Sequence, residues 1–465
     1  MAMITASSLG NADFRNDYRI KYAYLAGAMY RAIASKELVV ALGKAGLMGF
    51  LGTGGLRLDD IEAAILQIQA ELGVDGVYGM NLLADLERPE REEATVDLYL
   101  RHGVRHVEAA AYMRVTPALV RYRLRGASIG ADGRAVARHH VVAKVSRPEV
   151  ASQFMQPAPP ALVQQLVAAG RLDAREAELA PQLPLAGDIC VEADSGGHTD
   201  RGVAYVLIPA MQSLRDELMT RHRYAKRIRI GAAGGIGTPQ AAAAAFVMGA
   251  DFIVTGSINQ CTREAGTSDV VKALLQELDV QDTAYAPAGD MFELGAKVQV
   301  ARRGLFFAAR ASRLHELYQQ HASLDEIDPA MRSQIEQKFF RRGFDEIWDE
   351  TRRHYASSRP DQIAEIERSP KKKMAAVFRW YFAHSTQLAL SGDDTRLTDF
   401  QVHCGPALGA FNRWVRGTPL ESWQNRHVAD LAERIMQGTA AWLEARLASM
   451  ADSGGQRPSL QLQRQ

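Results

Sequence analysis

The chain has 465 residues, of which 47% are hydrophobic and 23% charged, the composition of an ordinary folded protein with more than one typical domain's worth of core. A formal net charge of +1 gives no bulk reason to expect nucleic acid. The three cysteines, Cys190, Cys261 and Cys404, are far apart with no zinc or disulfide spacing, and there is no signal-peptide pattern or bilayer-length apolar run, so a cytoplasmic protein with no metal site is expected.

In chain order, residues 1–16 are polar and without period, and read as a frayed end. Tyr22–Ala26 reads as a first strand running into Gly27-Ala28-Met29, small residues beside which a flat ring can approach the backbone. Leu38–Ala45 is predicted helical, and Leu47–Gly52 is a second strand ending in Thr53-Gly54-Gly55. Asp59 and Glu62 have the spacing of a capping box, opening a helix with Ile61, Ala64, Ile65, Ile68 and Leu72 on one face. A third strand is expected over Val74–Leu82, ending at Asn81, and a fourth over Val104–Ala109 after a Val96–Arg101 helix. The fifth, His139–Val145, carries Lys144 near its end, and the helix Ala161–Ala169 follows a proline-rich stretch and stops at Gly170.

Three further strand-like runs, Ile189–Glu192, Ile228–Ala232 and Phe252–Thr255, each end in small or polar residues. These endings are Ala193-Asp194-Ser195-Gly196-Gly197-His198, Ala233-Gly234-Gly235-Ile236-Gly237 and Gly256-Ser257-Ile258-Asn259-Gln260. The last two suit an anion: Thr238 can cap a helix with Pro239 at its first position, and two neighbouring strand ends rich in amides and hydroxyls can share one phosphate. Eight βα units over about 260 residues match a (β/α)8 TIM barrel, with an open doubly wound sheet as the alternative, since periodicity does not report closure.

After about Asp290 the texture becomes helical, over Met291–Tyr318, Met331–Ser357, Lys372–Leu390 and Leu420–Met450, and all five tryptophans lie beyond Asp290. The division expected is a barrel over 1–290 and a mainly helical C-terminal subdomain over 291–465. That subdomain either caps the barrel mouth over an apolar substrate or buries its own aromatics against the barrel.

The runs Val191–Asp200, Ala233-Gly234-Gly235-Ile236 and Val254–Gln260 resemble the nitronate monooxygenase (2-nitropropane dioxygenase) superfamily of flavin mononucleotide (FMN) barrels. Within it, Lys21–Met29, Ala143–Pro148, Ala286–Glu293, Val377–Tyr381 and Cys404–Asn412 are most similar to the trans-acting enoyl reductases of polyketide synthases and polyunsaturated fatty acid synthases. The resemblance implies an FMN across the barrel mouth, with Gly27, Ala28 and Met29 beside the ring and Asn81 and Lys144 reaching ring or ribityl oxygens. Its phosphate would lie on Gly196, Gly234, Gly235, Thr255, Gly256 and Ser257. His198 stands where the superfamily has its histidine, and the resemblance gives it the proton for the substrate's α carbon or a hold on the thioester carbonyl. Asp194, where the monooxygenases have glutamate, orients His198 or the flavin in this reading, or else caps its loop.

The implied reaction is reduction of an α,β-unsaturated thioester on an acyl carrier protein, with NADPH, or NADH as the alternative, reducing FMN. An acidic carrier protein calls for a basic surface, and Lys371-Lys372-Lys373 and Arg221-His222-Arg223 with Lys226-Arg227 are candidates by charge alone. The rival readings are a nitronate monooxygenase and a non-catalytic flavin-binding scaffold of a synthase assembly.

Overall fold

The structure, a computed structural model, describes residues 3–73 and 75–453. Eight parallel strands close into a barrel: β1 (Tyr24–Ala26), β2 (Met48–Leu51), β3 (Gly79–Leu83), β4 (His106–Ala110), β5 (His140–Val145), β6 (Asp188–Glu192), β7 (Arg229–Ala233) and β8 (Ile253–Thr255). Sequential strands are neighbours all the way round, and β1 closes on β8 with Leu25 opposite Val254. Strands covered on both faces read as continuous apolar runs, and the barrel's interior is filled accordingly by Ala23, Leu25, Met48, Phe50, Val142, Cys190, Phe252 and Val254.

The start of the chain departs from the frayed end expected. Asn11 caps a helix over Ala12–Tyr18, its side chain accepting the Phe14 N–H, and Phe14 and Tyr18 are fully buried. Phe14 stacks on Phe252 at 4.3 Å between ring centroids, while Tyr18 lies 5.2 Å from His106 and 5.3 Å from His140. The Tyr18 hydroxyl donates to Asp188 at 2.7 Å, and Asp188 also takes Nε and Nη2 of Arg229 at 2.5 and 3.0 Å. This helix therefore plugs the end of the barrel where the strands begin.

Two local expectations are also corrected. The helix near residue 60 runs Leu58–Leu72 from Arg57, without a side-chain cap, so Asp59 is in its first turn and the capping box is absent. The third strand begins only at Gly79, because the Gly76 N–H bonds the Gly73 carbonyl and turns the chain first; Val74 lies outside the described residues. The cap at Thr238 is as read: its hydroxyl accepts the Ala241 N–H and Pro239 follows at the first helical position.

The chain forms two compact units that alternate along the sequence. The first is 1–191, 205–255 and 427–465, and the second is 192–204 and 256–426. The last helix, Val428–Ser453, belongs to the barrel unit, where Thr439 donates to the Pro239 carbonyl at 3.2 Å and Glu433 accepts the Tyr22 hydroxyl at 2.6 Å.

The second unit is not all helix. Thr283–Pro287, Lys297–Ala301 and Gly197–His198 form an antiparallel sheet, and the helix expected over Met291–Tyr318 is confined to Phe307–Gln320. Around that sheet the helices Phe307–Gln320, Phe344–Ser358 and Pro370–Ser391 bury Phe292, Phe307, Phe340, Phe344, Phe378 and Tyr381, with Trp348 and Trp380 at the edge of this core.

Candidate active site

In the barrel unit, the C-terminal rim brings several expected residues together around one that the motifs do not single out. Ala28, just past β1, donates its N–H to Glu108 Oε2 at 2.9 Å, and the Gly27 N–H bonds the Thr255 carbonyl at 2.9 Å. Asn81 on β3 donates its side-chain amide to the Glu108 carbonyl at 2.9 Å, and its own carbonyl takes the hydroxyls of Thr53 and Tyr99. Lys144 on β5 sets its ammonium 3.7 Å from the Glu108 carboxylate, whose side chain is 1% exposed. A carboxylate this buried requires such company, and Ala28, Asn81 and Lys144 are all on it or on its backbone. The sequence does carry a signal: Glu108 is the one acid in the otherwise apolar run Val107–Ala110 of β4.

The phosphate-loop residues of this unit follow β7 and β8. Gly234 and Gly235 both adopt left-handed φ, 84° and 74°, and a side chain at Gly235 would meet nothing within 4 Å, so the backbone faces open space there. Thr255 is buried with its hydroxyl 2.5 Å from that of Tyr24.

In the second unit, Asp194 is held by the Tyr285 hydroxyl at 2.5 Å and the Thr199 hydroxyl at 2.7 Å, while its N–H bonds the Gly202 carbonyl. The carboxylate on His198 is another one: His198 Nε2 lies 2.9 Å from Asp290 Oδ1. Gly196 has a packing reason to be glycine, since a Cβ there would come within 2.8 Å of the Cys404 carbonyl carbon and the Gly405 nitrogen. Ser257 accepts the Gly405 N–H at 3.0 Å, and a side chain at Gly256 would meet nothing within 4 Å.

Beside His198, the side chain of His403 is held by Gln401. The Gln401 amide nitrogen lies 2.8 Å from His403 Nε2, and its amide oxygen lies 3.1 Å from the Thr386 hydroxyl. Burial, helped by repulsion from His198, depresses His403 to about 4, so it is neutral near pH 7.

The basic runs expected to dock a carrier protein are engaged within their own units. Lys371 donates to the Tyr318 and His321 carbonyls, Lys372 pairs with Glu365 and Lys373 lies over Trp348. Arg221 pairs with Glu217, Lys226 with Asp17 and Arg227 with Asp251. No helix among the described residues is long and apolar enough to cross a membrane.

The residues present fit a flavin phosphate. The loop after β7 offers backbone amides facing open space, and the Thr255 hydroxyl stands at the end of β8.

Comparison with known proteins gives the family. Residues 14–293 match the family model described as nitronate monooxygenase, and residues 321–400 match the inserted helical domain of acyl-carrier-protein S-malonyltransferase. The polyketide biosynthesis protein PksE of Bacillus subtilis is 56% identical over 97% of this chain and 58% of its own length. The polyketide biosynthesis protein ThaF of Burkholderia thailandensis is 53% identical over 95% of this chain and 38% of its own, so the chain spans only part of these curated relatives. Among solved structures, the enoyl reductase domain of MlnA from Bacillus amyloliquefaciens superposes with a TM-score of 0.92 at 46% identity, covering 95% of this chain and 99% of that one. The chain belongs to the nitronate monooxygenase family of barrels, in the branch that contains the MlnA enoyl reductase domain.

Proposed function

We propose that this chain is a trans-acting, FMN-dependent enoyl reductase that reduces the α,β double bond of enoyl thioesters carried on acyl carrier proteins during polyketide or polyunsaturated fatty acid synthesis. The observation that carries this reading is the likeness to the MlnA enoyl reductase domain over the whole of that chain. When bound, the flavin supplies hydride, received from NADPH, to the β carbon. Gly27, Ala28 and Met29 bed its ring, Asn81 and Lys144 address its polar edge, and Gly196, Gly234, Gly235, Thr255, Gly256 and Ser257 take its phosphate.

The protein's own contribution is placement and one proton. Glu108 fixes Ala28 through its N–H and holds the Lys144 ammonium near its carboxylate. His198, half exposed, gives its proton to the α carbon, and Asp194 acts through the loop it ties to Tyr285 and Thr199. In this scheme the barrel holds the cofactor and the helices of the second unit the acyl chain. The carrier protein and its synthase modules are the partners in a cytoplasmic assembly.

The direct assay is NADPH consumption with crotonyl-pantetheine, the product being read by mass spectrometry. Butyryl-pantetheine formed at the rate of NADPH loss is expected. NADPH loss with no reduced thioester would refute the reading.

A further inference from the structure

Asp290 is assigned no role by the motifs that frame His198, since 92 residues separate the two. Three elements of one unit bring the pair together. His198 ends the short strand Gly197–His198, which pairs with Lys297–Ala301 through Val298. Asp290 lies in the connection from Thr283–Pro287 to that same strand, and Val300 bridges to His403 from the other side. Both strands that flank the connection are thus hydrogen-bonded, and the connection is anchored where its carboxylate meets the imidazole.

We propose that Asp290 is the positioning residue of His198, holding the ring by its Nε2–H so that Nδ1 presents the proton to the substrate. This rests on the enoyl reductase reading above. In the step itself, hydride arriving at the β carbon leaves an enolate of the thioester. Its electron pair forms the new C–H bond at the α carbon as the Nδ1–H bond of the imidazolium breaks. The imidazole that remains is neutral and keeps Nε2–H on Asp290, ready to take a proton from water at Nδ1. The carboxylate favours the imidazolium before transfer and fixes which nitrogen gives up the proton.

Other charges face the pair, and they are consistent with this assignment. Lys297 continues the strand paired with His198, and His403 packs beside Gly197 but is neutral near pH 7. For Asp290, lost hydration raises the carboxyl pKa, but the His198 hydrogen bond and charge lower it further, so it is ionised at neutral pH. Asp194 and Thr199, on the loop of His198 itself, are bonded to each other.

The test is an NMR titration of the His198 ring in the full chain, in the absence of thioester, with its resonance assigned by its loss in His198→Ala. Because the two side chains are 51% and 64% exposed, the carboxylate's effect is screened, and Asp290→Asn is expected to lower the His198 pKa by roughly half to one pH unit. Asp290→Glu is expected to restore most of that shift. In turnover, the basic limb of the pH profile of kcat should move down by the same amount in Asp290→Asn, with the KM for crotonyl-pantetheine changed less than about twofold. A His198 titration that is the same in wild type and Asp290→Asn would overturn the proposal, as would a glutamate variant no closer to wild type than the asparagine one. If the chain reduces no thioester at all, the titration still decides whether Asp290 controls His198, so the two readings fail separately.

Discussion

Lowering the pH should loosen the barrel from its closed end. His106 and His140, at the starts of β4 and β5, have ring centroids 5.3 Å apart and both face Tyr18. Burial depresses each to about 3, with mutual repulsion adding for His106 and Arg123 for His140; His139 next door is depressed to about 4 by burial. The other charged groups facing them include Asp17, Asp188, Arg123 and Arg229 of the same plugged end, with Arg19 and Arg105 near His106 and Lys226 near His140. In the unfolded chain a histidine titrates near 6.5, so below that pH the unfolded state binds protons that the folded barrel refuses and stability falls. At pH 5 the linkage amounts to about 2 kcal/mol for each such histidine, almost none of it present at pH 7.5. Urea denaturation of wild type and His140→Phe at the two pH values checks this. The variant keeps a ring against Tyr18 and should lose about 2 kcal/mol less than wild type on going from pH 7.5 to 5. Equal losses in the two proteins would refute the argument.

Other substitutions probe the floor, the rim and the glycine loop. Phe14→Ala removes the ring stacked on Phe252 and is expected to cost about 3–5 kcal/mol in the same denaturation assay, an effect no frayed end would give. Lys144→Met strands the buried Glu108 carboxylate and should destabilise the barrel by about 3 kcal/mol, with Glu108→Gln added to it recovering most of that loss. Gly196→Ala drives a methyl into the Cys404–Gly405 backbone, where no flexible side chain can yield. A lower melting temperature, by the equivalent of about 1–3 kcal/mol, is expected, and an unchanged one would contradict the packing described.

The barrel is legible because each strand is an apolar run stopped by glycine or a polar residue, a pattern that survives in single sequence. What escapes such a reading is set by contacts between distant residues. The plug at the start has only Phe14 and Tyr18 on its inner face, too few for a period to register, and it is held by Asp188 and Phe252 far along the chain. The last helix reads as part of the C-terminal region, yet Thr439 and Glu433 tie it to Pro239 and Tyr22. One miss has a signal: Lys297-Val298-Gln299-Val300-Ala301 alternates with period two and forms a strand, although the helical texture around it hides the alternation.

The site shows the same division. Residues at strand ends, such as Gly27, Asn81, Lys144 and Thr255, are visible because glycine, hydroxyl and charge stand out there. Glu108 is easily passed over in mid-strand, although an acid among apolar neighbours in a buried strand is itself a sign of a partner. Asp290 gives no local sign of its link to His198, because nothing in its own neighbourhood encodes a hydrogen bond to a residue 92 positions away.

The central claim is tested most directly under anaerobic conditions, by following the visible spectrum of the purified, FMN-loaded chain as NADPH and then an enoyl thioester on an acyl carrier protein are added. Bleaching by NADPH followed by return of the oxidised spectrum on adding the thioester is the result predicted. A protein that takes up no FMN would contradict the account, and so would one that bleaches, ignores the thioester and turns over only with oxygen and an alkyl nitronate.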